Sequence, residues 1–119
     1  MKQAVIYQYS KCSTCRDAVK HLKRNGYALT SIEIFDHPPD KDTLTAIIAK
    51  SGLPLQRFFN SSGEVYRQMN LKDKLGGMSD DDKIALLSTN GRLIKRPIVV
   101  SGNQVTVGYN AQQYDEIWS

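Results

Sequence analysis

The chain has 119 residues and a mass of 13.4 kDa, which suits a single domain with one hydrophobic core. Hydrophobic residues make up 40% of it and charged residues 24%, and this composition excludes a disordered or fibrous protein. The formal net charge is +4, but the basic residues are interspersed with acidic ones. We therefore interpret them as a solvated surface and expect no direct binding of nucleic acid.

The apolar runs of the sequence are far too short to cross a bilayer. The opening residues MKQAVIYQYS alternate apolar and polar types and lack the continuous apolar stretch of a secretory signal. We therefore expect a cytoplasmic protein without a membrane partner. A reducing compartment of this kind disfavours a permanent structural disulfide.

The first third of the chain predicts a β-α-β unit. Residues 4–9 are rich in β-branched and aromatic types and predict a buried strand. From Thr14 the apolar residues recur at helical spacing, and Asn25-Gly26 supplies a left-handed stop. A second strand is predicted over residues 31–35, parallel to the first.

The middle of the chain predicts helices. After a break at residues 37–39, Asp40 or Asp42 can cap a helix that ends at Gly52. Residues 53–78 indicate only short helical fragments. Ser79, followed by three aspartates, predicts the start of another helix, because acidic side chains are favourable at the positive end of the helix dipole.

The last third predicts a hairpin and a helix. Residues 97–100 and 104–108 flank a short glycine-containing connection, and Asn110 can cap a final helix. The complete order, β-α-β … β-β-α, predicts the α/β class: a thioredoxin-like fold with a mixed sheet and a helical insert.

Cys12 and Cys15 are the two cysteines of the chain, and they lie at the predicted strand-to-helix turn. A zinc site needs about four ligands, and His21 and His37 are the only histidines available to add to them. Two buried core cysteines would suit the middle of a strand or helix better than this turn. The position therefore favours a redox pair.

The redox interpretation assigns different roles to the two thiols. A thiol at a helix N-terminus faces unpaired backbone N–H groups, which favour the thiolate and lower its pKa. Cys12 is therefore the predicted nucleophile. Cys15, one turn inside, can attack a mixed disulfide on Cys12 and form a Cys12–Cys15 disulfide. Lys11 and Arg16 add positive charge nearby.

A second signal is Arg96-Pro97, directly before an apolar strand. Proline is compatible with the first position of a strand, and in the cis form it would expose backbone groups for a substrate to pair with. The sequence does not determine the isomer. Arg96 can stabilise the Cys12 thiolate or an oxyanion, and a surface arginine at a strand edge is the alternative.

Three segments, YQYSKCSTCRDAVKHL, LIKRPIVV and QVTVGYNAQQY, resemble the arsenate reductase-like family, the ArsC and Spx branch of the thioredoxin-like fold. The resemblance covers nearly the whole chain and is greatest to the small YusI-like members, which share the CSTCR segment. It implies one domain over residues 1–119. Residues 1–37 and 92–119 would form the thioredoxin-like core, and residues from about 40 to 91 would form the helical insert.

The resemblance implies that the first cysteine of the family, here Cys12, is the nucleophile and that Arg96 binds an oxyanion or the thiolate. Cys15 corresponds to the second thiol of the Spx-like members. The residues that we expect to contact a substrate are Lys11, Ser13, Thr14, Arg16, Asn60 and Pro97.

Two other activities of the family are alternatives. Glutaredoxin-linked arsenate reductases use further arginines at places that align here with Asn60 and Gly108, which weakens the expectation of arsenate reduction; Arg57 and Arg67 lie near the first of these places. Spx regulators bind the C-terminal domain of the RNA polymerase α-subunit. They carry a charged C-terminal extension, whereas this chain stops at residue 119, so we expect the enzyme rather than the regulator.

The sequence thus predicts a thiol–disulfide oxidoreductase-like protein that acts on a small-molecule or protein thiol or disulfide. We expect glutathione, glutaredoxin or thioredoxin as the external reductant, and no bound cofactor or metal. We also expect a monomer.

Overall fold

The computed structural model describes residues 2–119. The chain divides into two compact units, one formed by the residues up to Glu33 together with Arg96–Ser119, and the other by Ile34–Lys95. The sequence predicted a single domain with a thioredoxin-like core of residues 1–37 and 92–119. The division into two units does not test that assignment, which stays a prediction.

Four strands and six α-helices form the described part of the chain. In chain order they are β1 (Lys2–Gln8), α1 (Ser13–Arg24), β2 (Tyr27–Glu33), α2 (Lys41–Ser51), α3 (Glu64–Gln68), α4 (Leu71–Lys74), α5 (Asp80–Thr89), β3 (Ile98–Ser101), β4 (Gln104–Val107) and α6 (Ala111–Ile117). Short 3-10 turns at Leu55–Phe58, Leu75–Gly77 and Gly91–Leu93 add to the helical segment between β2 and β3.

The first unit contains one mixed sheet, with strand order β2-β1-β3-β4. Strand β1 is parallel to β2 and antiparallel to β3, and β3 and β4 form a hairpin. A parallel pair needs a crossover, and α1 supplies it. The order β-α-β … β-β-α, with helices between the two halves, confirms the predicted α/β, thioredoxin-like fold.

Strand β2 begins earlier than the sequence indicated. The prediction placed it at residues 31–35, whereas the strand runs from Tyr27 to Glu33 and Phe35 lies in the turn beyond it. The reason is its pairing with β1, which continues from Lys2 opposite Tyr27 to Gln8 opposite Glu33. Hydrogen bonding in the ladder thus overrides the weak β pattern of residues 27–31.

The helix caps follow the sequence closely. The Asp40 carboxylate accepts the Thr43 N–H (2.8 Å), so Asp40 rather than Asp42 caps α2. The Ser79 hydroxyl accepts the Asp82 N–H (3.1 Å) and begins α5. Each of these side chains satisfies a backbone donor that the helix itself leaves unpaired.

The core of the first unit joins α1 and α6 to the sheet. Its buried members are Ala4, Ile6, Ala18, Leu22, Val99, Tyr114 and Trp118. Two polar groups within it are satisfied: the Tyr114 hydroxyl donates to the Gly108 carbonyl (3.1 Å), and Trp118 Nε1–H donates to the Thr106 hydroxyl (3.0 Å). Such pairing keeps buried polar atoms from destabilising the core. Among the helices between residues 2 and 119, none is long and apolar enough to cross a membrane.

The backbone at Gly91, in the second unit, leaves no room for a side chain. A Cβ atom there would lie 2.0 Å from the Ile34 carbonyl oxygen, whereas one at Gly77 would meet no heavy atom within 4 Å. Because backbone atoms must move to relieve the clash, we expect Gly91→Ala to lower the free energy of unfolding by roughly 1–3 kcal/mol. Gly77→Ala, the matched control, should change it by less than about 0.5 kcal/mol. Urea denaturation measures both values, and equal midpoints would contradict the prediction.

Candidate active site

The turn between β1 and α1 places Cys12 at the tip of the helix. The Tyr9 carbonyl accepts the Cys12 N–H (2.9 Å), and the Cys12 carbonyl accepts the Arg16 N–H (3.0 Å), which is the first hydrogen bond of α1. Cys12 is therefore the N-cap residue, with extended backbone angles (φ −91°, ψ 123°). Its side chain lies beside the unpaired N–H groups of the first helical turn.

The thiol of Cys12 is half-buried, and its surroundings act on its pKa in both directions. Desolvation by burial acts to raise its pKa, but several groups act in the opposite direction: the Cys15 N–H, the Cys15 thiol, the Thr14 N–H and the Arg96 charge. The net result is a pKa below the ordinary value of a cysteine. Hydrogen bonds to the thiolate thus outweigh its partial removal from water.

Cys15 has the opposite character. It is fully buried, and its Sγ accepts the Tyr9 N–H at 3.5 Å. Desolvation, together with the negative charge on Cys12 and the hydrogen bond to Cys12, raises the pKa of Cys15 to about 11, against the lowering effects of the Tyr9 N–H and the Arg96 charge. Cys15 therefore keeps its proton at neutral pH and donates a hydrogen bond to the Cys12 sulfur. Both residues are free thiols in this structure.

Arg96 lies on the same side of the first unit as the two thiols. Its charge lowers the pKa of both Cys12 and Cys15, and its guanidinium carbon is 5.7 Å from the centre of the Tyr9 ring. That distance is typical of a cation–π contact. The Arg96–Pro97 peptide bond is cis, and the buried Pro97 accepts the Gly108 N–H through its carbonyl (2.9 Å).

The predicted substrate contacts fall into two groups. Four of them are exposed residues on the turn around Cys12, namely Lys11, Ser13, Thr14 and Arg16. Pro97 follows Arg96 in the same unit. Asn60 belongs to the second unit, where its N–H donates to the Leu93 carbonyl (2.8 Å). Contact of these residues with a substrate stays a prediction.

Sequence reasoning missed three residues that shape the site. Tyr9 donates its N–H to Cys15, and Ser10 bonds to the carboxylate of Glu33 through both its N–H and its hydroxyl. The available signal was topological: the ends of two adjacent parallel strands meet at one edge of the sheet. The misplaced boundaries of β2 hid that signal, because they put Glu33 in the middle of the strand.

His21, one of the two histidines of the chain, makes hydrogen bonds away from the two cysteines. His21 is buried, with Nδ1 2.8 Å from the Tyr109 hydroxyl and Nε2 2.6 Å from the Asp115 carboxylate. The hydrogen bond from His21 lowers the pKa of Asp115. Across residues 2–119 no group of three or more His, Cys, Asp or Glu side chains is arranged to hold a metal ion.

An α/β sheet whose first crossover helix begins at a C-x-x-C pair defines a thioredoxin-like protein with two adjacent thiols. The chain belongs to the ArsC family, whose model matches residues 7–117. This membership confirms the resemblance that the three sequence segments indicate.

Relatives include proteins with and without an assigned activity. YusI of Bacillus subtilis, which is uncharacterised, is 48% identical over 114 residues, covering 96% of this chain and 97% of YusI. An ArsC family related protein from Bacteroides fragilis is 43% identical, with a TM-score of 0.91 and 98% of each chain covered. The arsenate reductase from Vibrio cholerae is 31% identical, with a TM-score of 0.87 and the same coverage.

The difference between the two thiols predicts selective alkylation. A pKa of about 11 leaves roughly one Cys15 thiol in ten thousand ionised at pH 7, whereas Cys12 is ionised more than an ordinary cysteine. We expect iodoacetamide at pH 7 to modify Cys12 at least about tenfold faster than Cys15, as measured by peptide mass spectrometry. In 6 M guanidinium chloride the two rates should converge, because the difference arises from folding. Equal rates in the native protein would contradict this assignment.

Proposed function

We propose that this protein is a thiol–disulfide oxidoreductase of the ArsC family, in which Cys12 is the nucleophile and Cys15 the resolving thiol. The observation that carries the proposal is the asymmetry of the pair. Cys12 lies at the helix tip with a lowered pKa, and Cys15 lies one turn inside, buried and protonated, as its hydrogen-bond donor. Nucleophile and resolving thiol need this division of roles.

The first step is attack of the Cys12 thiolate on one sulfur of a substrate disulfide. The new bond joins Cys12 to that sulfur, the substrate S–S bond breaks, and the second sulfur leaves as a thiolate. The positive charge of Arg96 stabilises the attacking thiolate beforehand. Lys11 and Arg16, both exposed beside Cys12, favour substrates that carry negative charge.

The second step needs Cys15 to lose its proton. In the mixed disulfide Cys12 no longer carries a negative charge or accepts a hydrogen bond, and both of these effects raise the pKa of Cys15 in the reduced enzyme. The pKa of Cys15 therefore falls when it must react. After the proton passes to water, the Cys15 thiolate attacks the Cys12 sulfur, and the remaining half of the substrate leaves as a thiolate.

The cycle closes by reduction of the Cys12–Cys15 disulfide. Two molecules of glutathione, which become glutathione disulfide, or the dithiol of a glutaredoxin or thioredoxin supply the two electrons. No bound cofactor takes part in this scheme. A cytoplasmic location, a monomeric state and substrate contacts from Ser13, Thr14, Pro97 and Asn60 belong to the same proposal.

Turnover of a small disulfide tests the proposal. With a glutathione–glutaredoxin or a thioredoxin recycling system, we expect catalysed reduction of hydroxyethyl disulfide, followed as NADPH consumption. Cys12→Ser should lower the rate to that of the recycling system alone, because the nucleophile is lost. Cys15→Ser should slow release of the product and accumulate a mixed disulfide on Cys12, detectable as added mass.

Two results would contradict the proposal. One is wild-type activity in the Cys12→Ser variant. The other is absence of turnover combined with redox-dependent capture of the C-terminal domain of the RNA polymerase α-subunit, which would favour the regulatory alternative. Thermal unfolding of each variant checks that the loss of activity is not a loss of folding.

Arsenate reduction is a second candidate, because the similar Vibrio cholerae protein is named an arsenate reductase. Arsenate is an anion that needs several donors, and the places that align with family arginines hold Asn60 and Gly108 here. Gly108 has a φ of 81°, and its N–H is hydrogen-bonded to the Pro97 carbonyl. An arginine at this position would be strained in that left-handed conformation.

We therefore expect little or no arsenate turnover, because residues 60 and 108 do not supply the guanidinium donors that the resemblance places there in arsenate reductases. A glutaredoxin-coupled assay of this protein beside the Vibrio cholerae arsenate reductase measures the difference at equal enzyme concentration. We expect this protein to be at least about a hundredfold slower, the loss that removal of one or two charge-assisted hydrogen bonds brings. Comparable rates would show that the missing arginines are not needed.

A further inference from the structure

Glu33 and Ser10 form a cluster of hydrogen bonds at the edge of the sheet beside the candidate nucleophile. The Ser10 N–H lies 3.1 Å from Oε1 and 3.2 Å from Oε2 of Glu33, and the Ser10 hydroxyl donates to Oε1 at 2.7 Å. Glu33 is the last residue of β2 and pairs with Gln8 in the parallel ladder. The carboxylate is therefore held by a fixed backbone and receives both donors of one loop residue.

Ser10 is also held from the helix side. The Arg16 guanidinium donates to the Ser10 carbonyl at 3.3 Å, and the Tyr9 carbonyl accepts the Cys12 N–H at 2.9 Å. The loop between β1 and α1 is thus fixed on one side by β2 and on the other by α1. Only residue 11 separates the fixed Ser10 from Cys12.

We propose that Glu33 is a positioning residue for the Cys12 thiol and acts through Ser10. The proposal rests on the nucleophilic role that the proposed function gives to Cys12. By holding Ser10, the carboxylate keeps Cys12 in the extended N-cap conformation, with its sulfur over the N–H groups of Thr14 and Cys15. Without it, Cys12 would also adopt orientations in which those donors do not reach the sulfur.

The proposed effect comes from the hydrogen bonds of Glu33 rather than from its charge. The charge that lowers the pKa of Cys12 is that of Arg96, and Glu33 is not among the groups that shift this pKa. Hydrogen bonds to a carboxylate are stronger than neutral ones, and they confine an exposed loop that water would otherwise solvate. A glutamine, which keeps a side-chain carbonyl oxygen at the same place, should therefore preserve most of the effect.

The pH profile of Cys12 alkylation tests the proposal without any disulfide substrate. In Glu33→Ala we expect the midpoint of the profile to move upward and the rate at pH 7 to fall roughly threefold to tenfold, while the limiting rate at high pH stays unchanged. Glu33→Gln should keep more than about half of the wild-type rate at pH 7. Glu116→Ala, which removes an exposed glutamate of α6, is the matched control and should leave the profile unchanged.

Ser10→Ala provides a second test that disturbs the fold less. It removes only the hydroxyl donor and should shift the midpoint in the same direction by a smaller amount. Combined with Glu33→Ala it should add nothing, because the two substitutions remove the same bond. Thermal unfolding of every variant distinguishes a displaced loop from an unfolded protein. If Glu33→Ala does not fold, Ser10→Ala and Glu33→Gln still test whether Glu33 positions the Cys12 thiol.

Three outcomes would overturn the proposal: a Glu33→Ala profile that coincides with the wild type, a glutamine variant as slow as the alanine variant, or additive shifts in the double variant. Failure of the proposed function is a separate result. A protein that reduces no disulfide but shows the predicted shift of the Cys12 profile would retain the positioning role and lose the enzymatic one. If Cys12→Ser loses turnover and the Glu33→Ala profile is unchanged, the enzymatic role of the protein is retained and the positioning role of Glu33 is excluded.

Discussion

The parallel pairing of β1 with β2 is the constraint on which the site depends. Its register runs without interruption from Lys2 opposite Tyr27 to Gln8 opposite Glu33, so both strands end at the same edge of the sheet. Two parallel neighbours need a crossover, and α1 must therefore begin at that edge. The N-terminus of α1, with its unpaired N–H groups and positive dipole, consequently lies at the sheet edge where β2 ends at Glu33 and where Ser10 follows β1. The position of Cys12 is thus a consequence of topology.

The chemical difference between two identical side chains then arises over a single helical turn. Desolvation is the largest single influence on each thiol and acts to raise both pKa values, but the other groups around Cys12 outweigh it and leave the pKa of Cys12 lowered. Cys12 accepts hydrogen bonds from two backbone N–H groups and from the Cys15 thiol, and these lower its pKa. Cys15 accepts a hydrogen bond from the Tyr9 N–H, but the negative charge of Cys12 raises its pKa. The fold therefore gives two thiols three residues apart opposite pKa shifts, lowered for Cys12 and raised for Cys15.

Beyond the element order and the family resemblance, the details that the sequence predicted correctly are local ones. The helix-tip position of Cys12 and the caps at Asp40 and Ser79 depend on residues within one turn of each other, which a single sequence displays directly. The start of β2 and the bonds of Glu33 to Ser10 depend instead on register between strands, to which the polar residues of β2 give little guidance. The contacts of His21 with residues 109 and 115 likewise need the packing of α6, 88 and 94 positions along the chain.

The charge at the site also bears on which electrophile it suits. The reacting sulfur of a disulfide carries no formal charge, so the proposed attack requires a stabilised thiolate, and the N–H groups at the helix N-terminus and the Arg96 charge lower the pKa of Cys12. An oxyanion brings its own negative charge towards that thiolate, and the repulsion must be offset by further donors. At residue 108 the left-handed backbone, with φ of 81°, favours glycine over any side chain that could supply them. The turn that brings the Gly108 N–H to the Pro97 carbonyl therefore disfavours an arginine at this position, and this supports the proposal that the protein acts on a disulfide rather than on arsenate.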